Sequence, residues 1–244
     1  GGWEAGEQTV DHALSPFWIA RMPITVAQFA RFVQEGYRND AYWTPNGLKW
    51  RGERTEPYKW GNPRYSAANQ PVVNITWYEA TAFSNWLTRQ LAESLPANHV
   101  LRLPTEAEWE AAAAYAGPGA RRNYPWGAEE PTLAHAVYDA WGLDSPAPVG
   151  LCPHGMAACG ALDMAGNVWE WTSSSYETYP MEAHTYAKDF TRNEFDVPSP
   201  WRGGSFRQYS TSVRCGARDW DLPYGRGLTQ GIRVVLAPLL AQMS

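Results

Sequence analysis

The sequence predicts an α+β domain, with helices in the first half and short strands among many turns in the second. Three observations carry this. Thr25-Val-Ala-Gln28, Thr76-Trp-Tyr-Glu79 and Thr105-Glu-Ala-Glu108 are capping boxes, in which the Thr hydroxyl accepts an amide and the Gln or Glu reaches back. From Gly117 onward turn dipeptides dominate, as in Gly117-Pro-Gly119, Pro125-Trp-Gly127 and Ser145-Pro-Ala-Pro148. The 244 residues include 14 Trp, 21 Gly and 19 Pro, and 18 % are charged, which describes a core of indoles joined by turns and not one of long aliphatic helices. No linker, internal repeat or heptad divides the chain, so residues 1–244 are read as one domain.

In order, residues 1–16 read as an edge segment or arm, and Phe17-Trp-Ile-Ala-Arg-Met as a short strand ended by Pro23. Val26, Phe29, Phe32 and Val33 fall at helical spacing, giving a helix over 26–35 that stops at Gly36. Residues 37–75 show no period and read as a long, packed loop. A helix over about 77–94 follows, with Phe83, Trp86, Leu87, Leu91 and Leu95 as its apolar stripe, and a third over about 106–115. Tyr176 to Pro200 reads as a surface insertion. Strands are expected at Gly203-Gly-Ser-Phe and Gly231-Ile-Arg-Val-Val.

The bulk numbers exclude some functions. A net charge of −5 implies no broad basic surface for nucleic acid. No apolar run approaches the ~18 residues a membrane span needs. Cys152 and Cys159 can bridge in their Pro/Gly loop, but three reduced thiols are the preferred reading. That odd count, with no signal peptide, leans toward a reducing, cytoplasmic setting, and the Gly-Gly-Trp start suggests a trimmed N-terminus. His12, His99, His135, His154 and His184 are scattered and read as surface or loop residues.

One stretch concentrates polar chemistry: Asp163-Met-Ala-Gly-Asn-Val-Trp-Glu-Trp171. Gly166-Asn167 is a turn pair tolerant of positive φ. Its Asn and Glu side chains and free carbonyls either hold a hard cation or tie the turn to neighbouring backbone.

Together with Arg102-Leu-Pro-Thr-Glu-Ala-Glu-Trp-Glu110, Arg202-Gly-Gly-Ser-Phe206 and Gly231-Ile-Arg-Val-Val235, this stretch makes an ordered set of motifs. From about Phe17 to Val235 the chain resembles the formylglycine-generating-enzyme (sulfatase-modifying factor) domain family. The resemblance implies that family's variant of the C-type lectin fold. It also implies three functional readings, because folds of this kind are reused. In the oxidase, two cysteines shortly after the Gly-Gly-Ser-aromatic strand bind copper. Here the first of those positions is Gln208 and the second falls at or near Val213, so no copper is expected. Cys215 matches a structural cysteine. A second branch joins the domain to an iron-binding helical domain that carries the iron histidines and makes sulfoxides. A third is the display scaffold of variable proteins from diversity-generating retroelements, whose last segment forms the ligand face.

The run from Arg214 to Arg233 resembles that last segment closely. The expectation is therefore a non-catalytic ligand-binding or display protein. Its contact residues would be Arg207, Gln208, Tyr209, Asp219, Trp220, Asp221, Leu222, Tyr224, Gly227, Leu228 and Thr229, and its partner a protein or other macromolecule. Trp220 and Gln208 are not products of adenine-directed mutagenesis of Asn codons, and Ile232 replaces the usual Phe. The alternatives are an oxidative enzyme of the formylglycine-generating or sulfoxide-synthase class, or a regulatory domain of a larger protein. The resemblance implies at most one calcium ion, held by the Asn167 and Glu170 side chains and the Val168 carbonyl.

Overall fold

A computed structural model describes residues 13–117, 119, 121–176 and 197–239. Most of the expected N-terminal arm and nearly all of the 176–200 insertion lie outside these.

The three boxes start three helices: α1 (Val26–Glu35), α3 (Trp77–Gln90) and α4 (Glu106–Ala114). At each, the Thr hydroxyl accepts the third amide of the helix while that residue's side chain returns to the Thr backbone. α3 stops at Gln90 and a single 3-10 turn, Ala92–Ser94, follows, so Leu91 is exposed and does not join the apolar stripe. A further helix, α2 (Pro45–Arg51), interrupts the expected loop: Thr44 caps it and Pro45 opens it. Phe29, Phe32, Phe83 and Trp86 pack between α1 and α3, and Tyr37, Trp43, Trp77 and Tyr78 extend this core toward α2.

Strands β1 (Trp18–Ile19), β2 (His99–Arg102) and β7 (Val235–Pro238) form an antiparallel sheet in the order β1-β7-β2, with Trp18 and Leu101 both opposite Leu236. Strands β3 (Trp169–Trp171), β4 (Ser199–Arg202), β5 (Arg218–Asp221) and β6 (Gln230–Gly231) form a second sheet, ordered β5-β4-β3-β6, in which only the β3–β6 pairing is parallel.

Two strand expectations are corrected here. The Gly203-Gly204 pair ends β4 instead of beginning a strand. Both glycines adopt left-handed φ, 101° and 76°, and a Cβ on Gly203 would lie 3.1 Å from the Trp109 ring. The closing segment is not one strand either. β6 ends at Gly231, Ile232 to Val234 cross between the sheets, and β7 becomes the central strand of the first. The Ile232 carbonyl accepts the Ile24 amide and the Val234 carbonyl accepts the Ala20 amide during the crossing.

Candidate functional site

The signature motifs prove to be one buried ionic framework centred on α4. Glu108 closes its capping box and also pairs with Arg102 through two contacts of 2.6 Å. Glu106 takes Arg218 in a two-point pair at 2.7 Å each. Glu110 accepts Arg202 and, at 2.6 Å, Arg121. Trp109 lies under the Arg202 guanidinium and donates its indole N–H to Glu170 at 2.6 Å. Burial disfavours the charge on Glu110, but Arg202 and Arg121 outweigh it and hold the carboxyl at about 2. Each strand of the second sheet near the site is thus tied to one helix by a charge-assisted bond.

The turn at Gly166-Asn167 belongs to the same framework, and here the calcium expectation meets the geometry. Asn167 sits at φ 62°; its Oδ1 accepts the Ala147 amide at 3.0 Å and its Nδ2 donates to the Ala147 carbonyl at 3.2 Å. The Val168 amide donates to Gly166. Glu170 accepts Arg233 Nε and Nη2 at 2.8–3.0 Å, plus Trp109. The Arg233 guanidinium on the Glu170 carboxylate repels a second cation at that position. No group of three or more His, Cys, Asp or Glu suited to a metal occurs among the described residues. Of the expected calcium ligands Asn167, Val168 and Glu170, the Asn167 side chain is thus engaged in a backbone clamp and the Glu170 carboxylate in a buried ion pair.

The donor set for copper does not fit either. Val213 and Cys215 are fully buried, Gln208 has no sulfur, and burial pushes the Cys215 thiol up to about 12, far from the thiolate a soft metal requires. Of the described histidines, His135 is stacked on Trp126, 4.7 Å between ring centres, and Trp126 on Tyr124. Cys152, Cys159 and Cys215 are all free, with Cys159 exposed.

The expected contact residues divide into two groups. Arg207, Gln208 and Tyr209 face the turn after Tyr138: the Gln208 carbonyl accepts the Asp139 amide, and Tyr209 is 72 % exposed. The second group, from Asp219 to Thr229, forms one continuous loop that begins on β5. β5 sends Asp219 and Asp221 to one side and Trp220 to the other. Trp220 lies against Tyr176, whose ring also carries the Arg218 guanidinium at 4.3 Å. Asp221 accepts its neighbour Leu222 and covers Gly225 so closely that any Cβ there would clash with its carboxylate. Burial raises the Asp221 carboxyl, the Leu222 amide opposes this, and the charge of Asp219 adds to it.

This loop is held at three points: the Pro223, Gly227 and Thr229 carbonyls accept the amides of Trp77, Asn74 and Trp169 at 3.1, 2.9 and 2.8 Å. Leu222, Leu228 and Thr229 are half-buried, whereas Trp220 and Tyr224 stay exposed. Three further residues shape the loop that sequence reasoning did not assign. Tyr58 stacks under Arg226 at 4.3 Å, Asn74 bonds to the Tyr58 carbonyl from a left-handed φ of 63°, and Tyr176 supports Trp220. They come from segments with no local signal.

Known proteins give this geometry a context. The chain is 34 % identical over 236 residues to the hercynine oxygenase of Mycobacterium tuberculosis, covering 89 % of this chain and 52 % of that protein. It thus spans about half the length of that relative. CarF superposes with a TM-score of 0.62 at 20 % identity, covering 94 % of this chain and 89 % of CarF. Treponema denticola variable protein 1 superposes at 0.59 and 20 %, covering 91 % and 84 %. At such identity these two show the shared loop-rich, C-type-lectin-like α+β fold and nothing more. The reading of a non-catalytic display protein is overturned by the first relative, an enzyme by name, which matches along most of the chain where the variable protein matches only in fold. The missing oxidase cysteines exclude one chemistry of the scaffold, not catalysis. The model of the sulfatase-modifying factor enzyme 1-like domain matches residues 4–238, and this chain belongs to that family.

Proposed function

We propose that this chain is the substrate-facing part of an oxidative enzyme of the hercynine-oxygenase kind, with the Asp219–Thr229 loop as one wall of the active site. The observation that carries it is a loop anchored at three points that bears aromatic and acidic side chains, in a chain 34 % identical to a hercynine oxygenase. Hercynine is a trimethylammonium betaine of histidine, so its recognition requires ring faces and a carboxylate at short range. Trp220 and Tyr224 offer the rings, while Asp219 and Asp221, on the other side of β5 from Trp220, give the loop its negative charge. The anchoring at Pro223, Gly227 and Thr229 supports a pre-organised wall rather than an adaptable display loop. Arg207, Gln208 and Tyr209 would border this wall from the neighbouring turn. The partner of the loop is then a small zwitterion with a quaternary ammonium group and not a macromolecule.

An oxygenase needs a metal or other oxygen-activating group. The described residues supply no cluster for one, so its ligands would come from outside them. What this chain would contribute is substrate binding, orientation and exclusion of water.

The test is hercynine-dependent oxygen consumption by the full protein with ferrous iron and a small thiol. Trp220→Ala and Asp221→Asn are each expected to raise KM about tenfold, the loss of one cation–ring or charge contact. Absence of both hercynine binding and hercynine-dependent oxygen uptake would overturn the reading.

A further inference from the structure

Behind the anchored loop lies a phenol–carboxylate pair that substrate recognition does not use. Tyr37 and Glu79 are both 0 % exposed, and the Tyr37 hydroxyl donates to Glu79 Oε1 at 2.6 Å. The Thr76 amide and hydroxyl donate to Oε2 at 2.7 and 2.9 Å. Three donors on two oxygens is the surrounding of an ionised acceptor. Burial, the largest influence, raises the proton affinity of Glu79, although its hydrogen bonds and Arg226 oppose this. Glu79 is therefore a base already in contact with the phenolic proton.

Tyr37 also ends a run of oxidisable rings. Its centroid lies 5.0 Å from that of Trp43; the steps Trp43–Trp50, Trp50–Tyr78 and Tyr78–Trp77 are 6.3, 6.0 and 5.9 Å. Trp77 donates its amide to Pro223 and its indole N–H to Thr172, so the far end of the run abuts the candidate loop. Arg51 lies 5.4 Å over Trp43 and Arg54 4.9 Å over Trp50. A guanidinium on a ring face disfavours positive charge on that indole, so a hole passes through these two rings without resting there. At Tyr37 the proton has somewhere to go.

We propose that Tyr37 and Glu79 form a redox-active pair, the terminus of a hole-transfer route running from the 219–229 loop through Trp77, Tyr78, Trp50 and Trp43. In one event a single electron leaves Tyr37 along these rings and reduces a one-electron oxidant at the loop. The Tyr37 O–H bond breaks and the proton passes to Glu79, leaving a neutral tyrosyl radical beside a neutral carboxylic acid. A thiol at the loop returns one electron along the same rings, loses its proton to solvent and is left as a thiyl radical, while the Glu79 proton goes back to the phenol. The oxidant is a strongly oxidising activated-oxygen species or a metal(III) complex. Only the first of these rests on the oxygenase reading.

A photochemical test needs neither iron nor hercynine, so its failure is separate from failure of that reading. Cys159→Ser removes the exposed thiol, and a ruthenium polypyridyl sensitiser is attached to a cysteine introduced by Tyr224→Cys. A flash with an irreversible electron-accepting quencher creates the metal(III) oxidant beside the loop, and electron paramagnetic resonance follows the product. The expected result is a long-lived tyrosyl signal that Tyr37→Phe removes. Glu79→Gln should slow its formation by about tenfold or more, the loss of a positioned base. Trp50→Phe keeps a ring but not an easily oxidised one; it should lower the yield and gives a second reading if Glu79→Gln does not fold. An unchanged long-lived signal in Tyr37→Phe, or unchanged yield in Trp50→Phe, overturns the proposal.

Discussion

Glu170→Gln is the substitution that best separates a structural ion pair from a cation site. Arg233 is 0 % exposed and receives three contacts of 2.8–3.0 Å from the two Glu170 oxygens. The glutamine keeps the shape but has one acceptor oxygen for two claimants, Arg233 and the Trp109 indole N–H. Removing one charge of a buried pair costs about 3–5 kcal/mol because the other stays buried and uncompensated. Two guanidinium contacts survive independently, from Arg233 to the Ala20 and Leu162 carbonyls at 2.7 and 2.6 Å, which places the cost near the low end. A loss of about 3 kcal/mol, with a urea slope of about 3 kcal/mol/M, lowers the unfolding midpoint by about 1 M. The assay is urea unfolding by tryptophan fluorescence, with calcium and with chelator. Chelator should leave the wild-type midpoint unmoved. A loss below about 1 kcal/mol, or a wild-type midpoint that chelator drops to that of the variant, would refute the ion-pair account.

Three other outcomes follow from the same framework. Glu110, held at about 2, binds its proton less readily in the folded chain than when unfolded, so its stabilisation is complete above the ordinary value of 4.5 and is lost as pH falls from there toward 2. Glu110→Gln should therefore remove roughly 3 kcal/mol at neutral pH and flatten the acid limb of a stability–pH profile measured by denaturant melts. Gly203→Ala forces a left-handed φ on a residue with a Cβ and presses it toward Trp109, which should cost about 2 kcal/mol in the same melts. Burial pushes Cys152 up to about 11 and Cys215 up to about 12, so an aromatic disulfide reagent should titrate Cys159 alone in the native chain and all three thiols in urea.

What could be read from the sequence divides by the range of the cause. Three helices were legible because a capping box is complete within four residues. α2 was not, because Thr44-Pro45 is a start signal without an apolar stripe behind it, and Gly47 lowers the helix preference further. The closing strands were misjoined because a chain that changes sheets at Ile232 to Val234 keeps its apolar pattern throughout. Glu170 stood out in the sequence, but its partners Arg233 and Trp109 did not, since only folding brings them to it. Tyr58, Asn74 and Tyr176 shape the candidate loop from positions whose neighbours in sequence carry no sign of it. The functional reading erred for another reason: loss of one metal's ligands was taken as loss of chemistry.

The crossing between the sheets has a consequence for synthesis. β7 is the central strand of the first sheet, pairing with β1 on one side and β2 on the other, and its first residue is Val235. Until that segment has cleared the ribosome, β1 and β2 have no partner and Glu170 no guanidinium. A nascent chain exposed only as far as residue 230 is therefore still an open assembly in which β1 and β2 are unpaired edges. Emergence of residues 231–238 therefore decides whether these two sheets close or remain prey to chaperones and proteases.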